Sequence, residues 1–464
     1  MQIETFLYFH HAMIDFLVYA IFASCFFILL YKDTEARFCA LFLGTLLFPS
    51  CIWIIDSPKL SPQHILLYTY FLIEITKDYN FFIESIKKFP FKIPILLVII
   101  SFICTVYTNN KFDAKEYYVL ARYVIELYGY LLASFIIGRK IDVIKTLRQL
   151  FPFMFILGVL GVFEGLFNAN YPFKYICSAF PYYDGFYDLS SSINASDAWR
   201  TRTLLTTTYP TAYGTLLCGI VLVFFPMLKK LDISLRWKIA FVLIYLANLF
   251  LSGSRTGMLC SAIALAFWFT RKWHILVKLF MIFALIVTAY FSIQQVIENF
   301  SQETRGSSLQ LRQQQLIFSV IQIAEKPLFG NGVGYLTKYI FETDAYGDRI
   351  KNEDILGMES ILFPKLINYG FVGLFLYFTL SIWIFIYFFK RRDESEMAIS
   401  GAMEIFAMTL FFVLSGNMGN ASAYTYLIIG LLTGGILSSE EAEQEEEIAQ
   451  ESQMISLEQD VRGE

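Results

Sequence analysis

The stretch Leu251-Ser252-Gly253-Ser254-Arg255-Thr256-Gly257 places one arginine between two apolar runs, Ile239 to Leu251 and Met258 to Thr270, neither of which carries a charge. Each run is long enough to be half buried in a bilayer, so Arg255 reads as sitting at a membrane boundary, held by small residues. An arginine at that depth is a functional candidate by default. Small residues let the backbone approach a ligand closely. Their hydroxyls and amides stand beside a guanidinium whose planar fork suits phosphate oxygens. An anion-binding corner and a snorkelling arginine at a helix end both fit this pattern.

The same alternation of apolar runs and short polar breaks extends along the whole chain. Of 464 residues, 56% are hydrophobic, 18% aromatic and only 16% charged, which excludes an ordinary soluble globule. The expected fold is an all-α polytopic membrane protein with about 13 spans (12–14). These lie near residues 13–31, 38–55, 64–76, 93–107, 117–137, 150–168, 209–228, 239–252, 257–270, 275–292, 360–389, 398–415 and 423–437. The third, broken by Glu74 and followed by Lys77 and Asp78, is the weakest of them. The membrane domain covers 1–438, and an acidic segment, 439–464, follows as an expected disordered cytoplasmic tail. From Glu440 onward the chain carries ten acidic residues and one arginine, a balance of −9, so its net −4 leaves about +5 for the rest.

Four basic clusters orient the bundle: Arg139, Lys140, Lys145 and Arg148; Lys229, Lys230, Arg236 and Lys238; Arg271, Lys272 and Lys278; and Lys390, Arg391 and Arg392. All four are expected on one, cytoplasmic, side. Large loops 169–208 and 293–359 then face outward, as does Arg255. No cleavable signal peptide is evident at the first apolar run. Most of the seven cysteines lie within spans and read as core fillers, and the four histidines show no ligand spacing, so no metal site and no cofactor are expected. Nothing in the charge pattern suggests nucleic acid.

The first outer loop carries Tyr182, Tyr183, Phe186 and Tyr187, then Trp199-Arg200-Thr201-Arg202 and a run of hydroxyls to Thr208. Exposed aromatics fit an interfacial belt or a sugar-binding cleft. In the second loop, residues 309–324 read as an amphipathic helix along the membrane surface, with Leu309, Leu316, Val320 and Ile323 on one face and Arg312 at its margin. Pro327 ends it, and Gly330, Gly332 and Gly334 follow, as a turn or as an amide nest for anions. Glu359 stands at the start of the next span, suited to capping the helix or to accepting a proton from a bound hydroxyl. Arg122 and Glu126, one turn apart, read as a structural pair, whereas Glu164 and Glu404 have no partner in sequence.

Leu251 to Leu259, Arg312 with Pro327-Leu328-Phe329-Gly330-x-Gly332-x-Gly334, and Glu359 followed by Gly370 and Gly373 together resemble the O-antigen polymerase and O-antigen ligase superfamily. The similarity covers roughly 200–380 and includes Arg202, eight positions before Pro210. The resemblance implies a GT-C-like, inverting, metal-independent glycosyltransferase of the bacterial cytoplasmic membrane, with its active site facing the periplasm. It uses undecaprenyl-diphosphate-linked oligosaccharides as donor and acceptor, among membrane lipids and with a possible chain-length regulator protein as partner. It assigns diphosphate binding to Arg202, Arg255 and Arg312, with Arg200, Ser254, Thr256, Gly332 and Gly334 as additional candidates, and proton abstraction to Glu359. Ligases of the family carry a histidine, usually followed by asparagine, where this chain has Glu359-Ser360, which favours a polymerase. Leu205 stands where the family often has glycine. A ligase acting on lipid A core, or a lipid-linked oligosaccharide flippase, are the competing readings. A transporter should place its key charges near mid-membrane and repeat itself internally.

Overall fold

A computed structural model of the chain describes residues 2–49, 51–55, 60–110, 114–167, 170–180, 196–197, 200–271, 273, 308–336, 358, 360–416 and 420–463. Apolar runs of membrane length form helices because only a helix satisfies its own backbone without water. In chain order these are α1 (Gln2–Tyr31), α2 (Thr34–Leu47), α3 (Pro62–Lys77), α4 (Tyr79–Lys88), α5 (Lys92–Asn110), α6 (Ala114–Gly138), α7 (Val143–Phe167) and α8 (Tyr171–Ala179). A two-residue hairpin follows, β1 (Ser196–Asp197) with β2 (Arg200–Thr201), then α9 (Pro210–Met227), α10 (Leu235–Leu251), α11 (Arg255–Phe269) and α12 (Ser308–Ile323). The chain closes with α13 (Leu362–Lys390), α14 (Glu396–Ser415) and α15 (Ala421–Gly463).

Among the described residues seven helices are long and apolar enough to cross a membrane: α5, α6, α7, α9, α13, α14 and the first part of α15. The expected span 275–292 lies outside the described residues; each of the other expected spans overlaps a helix, but the one expected at 38–55 is helical only to Leu47. Several of these helices are short. α2 and α3 have 14 and 16 residues, α10 has 17 and α11 has 15.

The most extensive helix contact joins α6 to α15, and small residues make it possible. A Cβ on Gly138 would lie 2.5 Å from the Leu431 carbonyl, and one on Gly434 would run into the Phe135 carbonyl. Neither obstacle is a flexible side-chain end. Gly434→Ala should therefore destabilise the protein by about 1–3 kcal/mol or more, and Gly434→Val should abolish folded protein in detergent extracts. Fluorescence-monitored gel filtration checks this, and a monodisperse valine variant at normal abundance would refute the packing argument.

The described members of the four basic clusters meet at one end of the bundle, held by a belt of ion pairs, while Lys272 and Lys278 lie outside the described residues. Arg139, whose side chain is buried, reaches Glu84 and Glu441, each at 3.0 Å, and donates to Ser85 Oγ at 2.9 Å. Arg271 grips Glu396 with both guanidinium nitrogens at 2.8 and 3.0 Å, and Arg391 reaches Glu440 at 2.5 Å. Lys140 bridges Glu74 and Asp78, which explains how Glu74 is tolerated in the third apolar run. Hydrogen bonds from Lys88 and then Arg139 pull the Glu84 carboxyl from 4.5 down to about 2. Its contribution to stability is thus full above its ordinary range and is lost only as pH falls through about 2.

Glu440 and Glu441 also change the reading of the acidic segment. Where the sequence suggests a disordered tail from 439, the backbone of α15 stays helical to Gly463. Ion pairs from Lys88, Arg139 and Arg391 hold Glu441 and Glu440, and a segment rich in Glu and Gln has good helix propensity once nucleated.

Asn420 ties the opposite end together. Its Nδ2 donates to the Thr45 and Phe48 carbonyls, both at 2.7 Å, and its Oδ1 accepts from Gln63 Nε2 at 3.1 Å. The sequon beginning at Asn420 therefore has its side-chain amide engaged in packing.

Candidate functional site

The site is built on α7, whose outgoing end carries Glu164. This carboxylate is buried, and its Oε1 accepts from Leu204 N at 2.7 Å and Leu205 N at 2.8 Å. Two successive amides aimed at one oxygen make the start of an anion-binding nest, which a left-handed residue completes. Leu205 supplies it with φ of 52°, the sole non-glycine with positive φ among the described residues. That conformation costs a leucine about 1–2 kcal/mol. Burial of its side chain, at 1% exposure, returns about 1.5–3 kcal/mol, which offsets that cost.

The segment held by Glu164 clamps the arginine turn on its other side. Thr203 N donates to the Leu251 carbonyl at 3.3 Å, while Arg202 donates through Nε to Ser252 O at 3.0 Å and through Nη2 to Gly253 O at 3.1 Å. Two carbonyls at the end of α10, which lack helical partners by construction, thereby gain a cation. Gly253, at φ 61°, turns the chain, and Ser254 Oγ accepts from Gly257 N to cap α11. Gly214 and Gly257 let α9 and α11 meet closely beside Ser254; a Cβ on Gly257 would lie 2.9 Å from the Gly214 carbonyl. Arg255 is the first residue of α11 and its side chain is exposed. Arg255 thus places a cation at the N-terminus of a helix, a position that receives anions.

Asn248 braces the neighbouring helices. Its Nδ2 donates to Gly158 O of α7 at 2.7 Å, and its Oδ1 accepts from Tyr213 Oη of α9 at 2.8 Å. Glu164→Ala should leave two buried amides without an acceptor and lower stability by about 2–6 kcal/mol, at about 1–3 kcal/mol for each. Glu164→Gln keeps a carbonyl oxygen for both amides. It should unfold close to the wild-type temperature in purified protein, and equal unfolding temperatures for the alanine variant and the wild type would contradict the clamp.

α14 connects the arginine turn to the start of α13. Ser415 Oγ donates to Thr256 Oγ1 at 2.7 Å, and one turn earlier the Phe412 carbonyl accepts from Ile361 N at 2.9 Å. Position 361 and the residue after Arg255 therefore share one end of one helix. Glu359 lies outside the described residues. Ser360 next to it is buried and its Oγ accepts from Leu362 N at 3.2 Å, so one amide of the α13 start already has a cap.

The remaining candidates divide. Arg200 pairs with Asp197 in the hairpin register and Arg312 lies on α12, but their side chains are outside the described residues, as are 181–195 and 337–357. On α12, Leu316 and Val320 are exposed while Gln315, Ser319 and Ile323 are buried, so Ile323 parts from the apolar stripe and packs with Leu366 and Ile367 of α13. The glycine run pairs with a break in α13: Gly330 and Gly370 have φ of 67° and 66°, and Phe371 N and Val372 N donate to the Pro327 and Leu328 carbonyls at 2.9 and 3.1 Å. The amides of Gly330, Asn331 and Gly332 donate to Lys326, Ile367 and Asn368 carbonyls, so these three serve the turn. Gly334 has φ of 72° and open space around it.

Two features escape sequence reading. Lys365 is buried in a box formed by Phe102, Tyr123, Tyr369 and Tyr377, with Nζ 5.0–5.6 Å from each ring and a 2.7 Å hydrogen bond to Tyr123 Oη. It joins α13 to α5 and α6 by cation–π attraction. Ser61, His64 and Glu126 also meet, at 2.9 and 3.4 Å, but both contacts use His64 Nδ1. A proton relay needs both ring nitrogens, so no nucleophile is activated there. Arg122 reaches Glu126 at 2.5 Å, the structural pair read from their spacing.

These features describe a multi-pass helical membrane protein with an exposed arginine turn at the end of the bundle opposite its ion-pair belt. Residues 239–378 match the family described as O-antigen ligase, which assigns this segment to the O-antigen ligase and polymerase superfamily without separating the two activities. The matched segment runs from α10 into α13 and contains Arg255, Arg312, the glycine run and Glu359; Arg202 and Glu164 lie before it. No curated protein matches the chain. The family match and the apolar helices together point to a multi-pass membrane protein related to the O-antigen ligases over that segment.

Proposed function

We propose that the protein polymerises undecaprenyl-diphosphate-linked oligosaccharide repeat units into O-antigen or a similar surface polysaccharide, on the outer face of the cytoplasmic membrane. The observation that carries this reading is the turn at Arg255, clamped by Arg202 and joined through α14 to the start of α13. Breaking the anomeric C–O bond leaves growing negative charge on the lipid diphosphate, and fixed cations at that position stabilise it. Arg255 is the principal one, with Arg312 assisting, and Arg202 holds the turn in place. Glu359 takes the proton of the acceptor hydroxyl, whose oxygen attacks the anomeric carbon from the face opposite the diphosphate. One bond forms as one breaks, with inversion.

A ligase that moves the same glycan onto lipid A core is the second reading, favoured by the family description of the matched segment. Purified protein incubated with lipid-linked repeat units separates the two. A ladder of products supports polymerisation, and transfer solely to added lipid A core overturns it. Because arginines supply the positive charge, the ladder should persist in EDTA. Complete loss restored by Mg²⁺ or Mn²⁺ would contradict this mechanism.

A further inference from the structure

Glu404 stands in the middle of α14 with no exposed surface, and neither of its carboxyl oxygens has a hydrogen-bond partner among the described residues. It faces Gly219 of α9, where a Cβ would lie 3.0 Å from Oε1, so the glycine leaves the space that the carboxyl group fills. Thr425 of α15 stands beside it, short of hydrogen-bond geometry, and Tyr424 of α15 and Cys218 of α9 lie within electrostatic range of it. No lysine, arginine or histidine among the described residues pairs with it.

Other buried groups nearby are in the same position. Tyr424 Oη and Thr425 Oγ1 have no partner, and neither has Thr208 Oγ1. Tyr424 and Thr208 line a common cavity with Thr45, Thr206 and Asn420, at the end of the bundle that carries Arg255. Its volume of ≈ 10 Å³ is room for one water, and its lining offers that water several polar partners.

An ionised carboxylate alone in such a setting is prohibitively costly, and a neutral acid still leaves a donor and an acceptor unmade at about 1–3 kcal/mol each. Water resolves the whole series at once. We propose that Glu404 is a protonated acid at the inner end of a file of buried waters, entered from the cavity between α2, α9 and α15, and that it exchanges its proton with solvent at that end. In the exchange the carboxyl O–H passes its proton to a water while a water returns one to the other carboxyl oxygen. No net charge moves. The proposal is independent of the catalytic reading.

Infrared difference spectroscopy on the full-length protein in lipid nanodiscs tests it. Wild type minus Glu404→Gln should show the C=O stretch of a protonated carboxyl group, moving to lower frequency within minutes of transfer to D₂O. Glu404→Asp should displace that band rather than remove it, which separates the assignment from any folding defect of the glutamine variant. Thr208→Val combined with Tyr424→Phe should slow the isotope shift. A difference spectrum without a protonated-acid band would mean that Glu404 is ionised and would overturn the proposal. A band that keeps its hydrogen frequency overnight in D₂O would overturn it as well, because the site would then be dry.

Discussion

Arg255→Ala is expected to lower glycan transfer by about 10³-fold or more while leaving the protein at its normal level in the membrane, a loss in the range seen when a charge-stabilising group is removed from a transfer reaction. The folded structure does not depend on this guanidinium for its helix start, because Ser254 Oγ provides the cap of α11. A cation at a helix N-terminus has the wrong sign for the helix dipole, worth about 0.3–1 kcal/mol against it. The helix dipole therefore does not favour an arginine there, and the proposed role in binding the diphosphate gives it a use. Arg255→Lys keeps the charge and loses the planar fork, so its activity should fall between wild type and alanine, with the larger defect in turnover. Rates are compared at matched protein level with saturating lipid-linked donor. Full polymer production by the alanine variant would remove Arg255 from the site.

The gross architecture is legible in the sequence because two local signals determine it: the length of an apolar run and the sign of charge at its end. The basic clusters at 139–148, 229–238, 271 and 390–392 do gather at one end of the bundle, since each follows or precedes a helix of known direction. What joins the helices is not legible. Arg139 and Glu441 are 302 positions apart, and no local pattern pairs them. The candidate site divides along the same line. Arg255 stands out because charge interrupts an apolar stretch, whereas the clamp that positions it depends on Glu164 meeting two amides 40 and 41 residues away. Three weaker signals do point toward that clamp. Glu164 is a charge within an apolar run, and Asn248 is a polar residue in another, each of which needs a buried partner. Leu205 gives the third: a leucine where glycine is common in the family proves to be the residue with left-handed backbone.

Glu359→Gln should retain folding and membrane abundance yet lose about 10² to 10⁴ of the transfer rate, the usual worth of a positioned proton acceptor. Glutamine preserves the size of the side chain and its capacity for hydrogen bonding, and it removes only the ability to take up a proton. A capping role makes a different forecast. Ser360 Oγ already accepts from Leu362 N, and Ile361 N is bound by the Phe412 carbonyl, so the start of α13 has partners for these amides without any contribution from position 359. A residual cap or dipole contribution would cost at most about 1 kcal/mol of stability on substitution and would leave turnover nearly intact. The two roles therefore part by at least a hundredfold in initial rate, measured at saturating donor and acceptor. They part in pH dependence too. With Glu359 as the base, turnover of the wild type should rise with pH as the carboxyl group loses its proton, and the glutamine variant should lose that limb of the profile. A glutamine variant with near wild-type turnover and an unchanged pH profile would assign the proton transfer to another group.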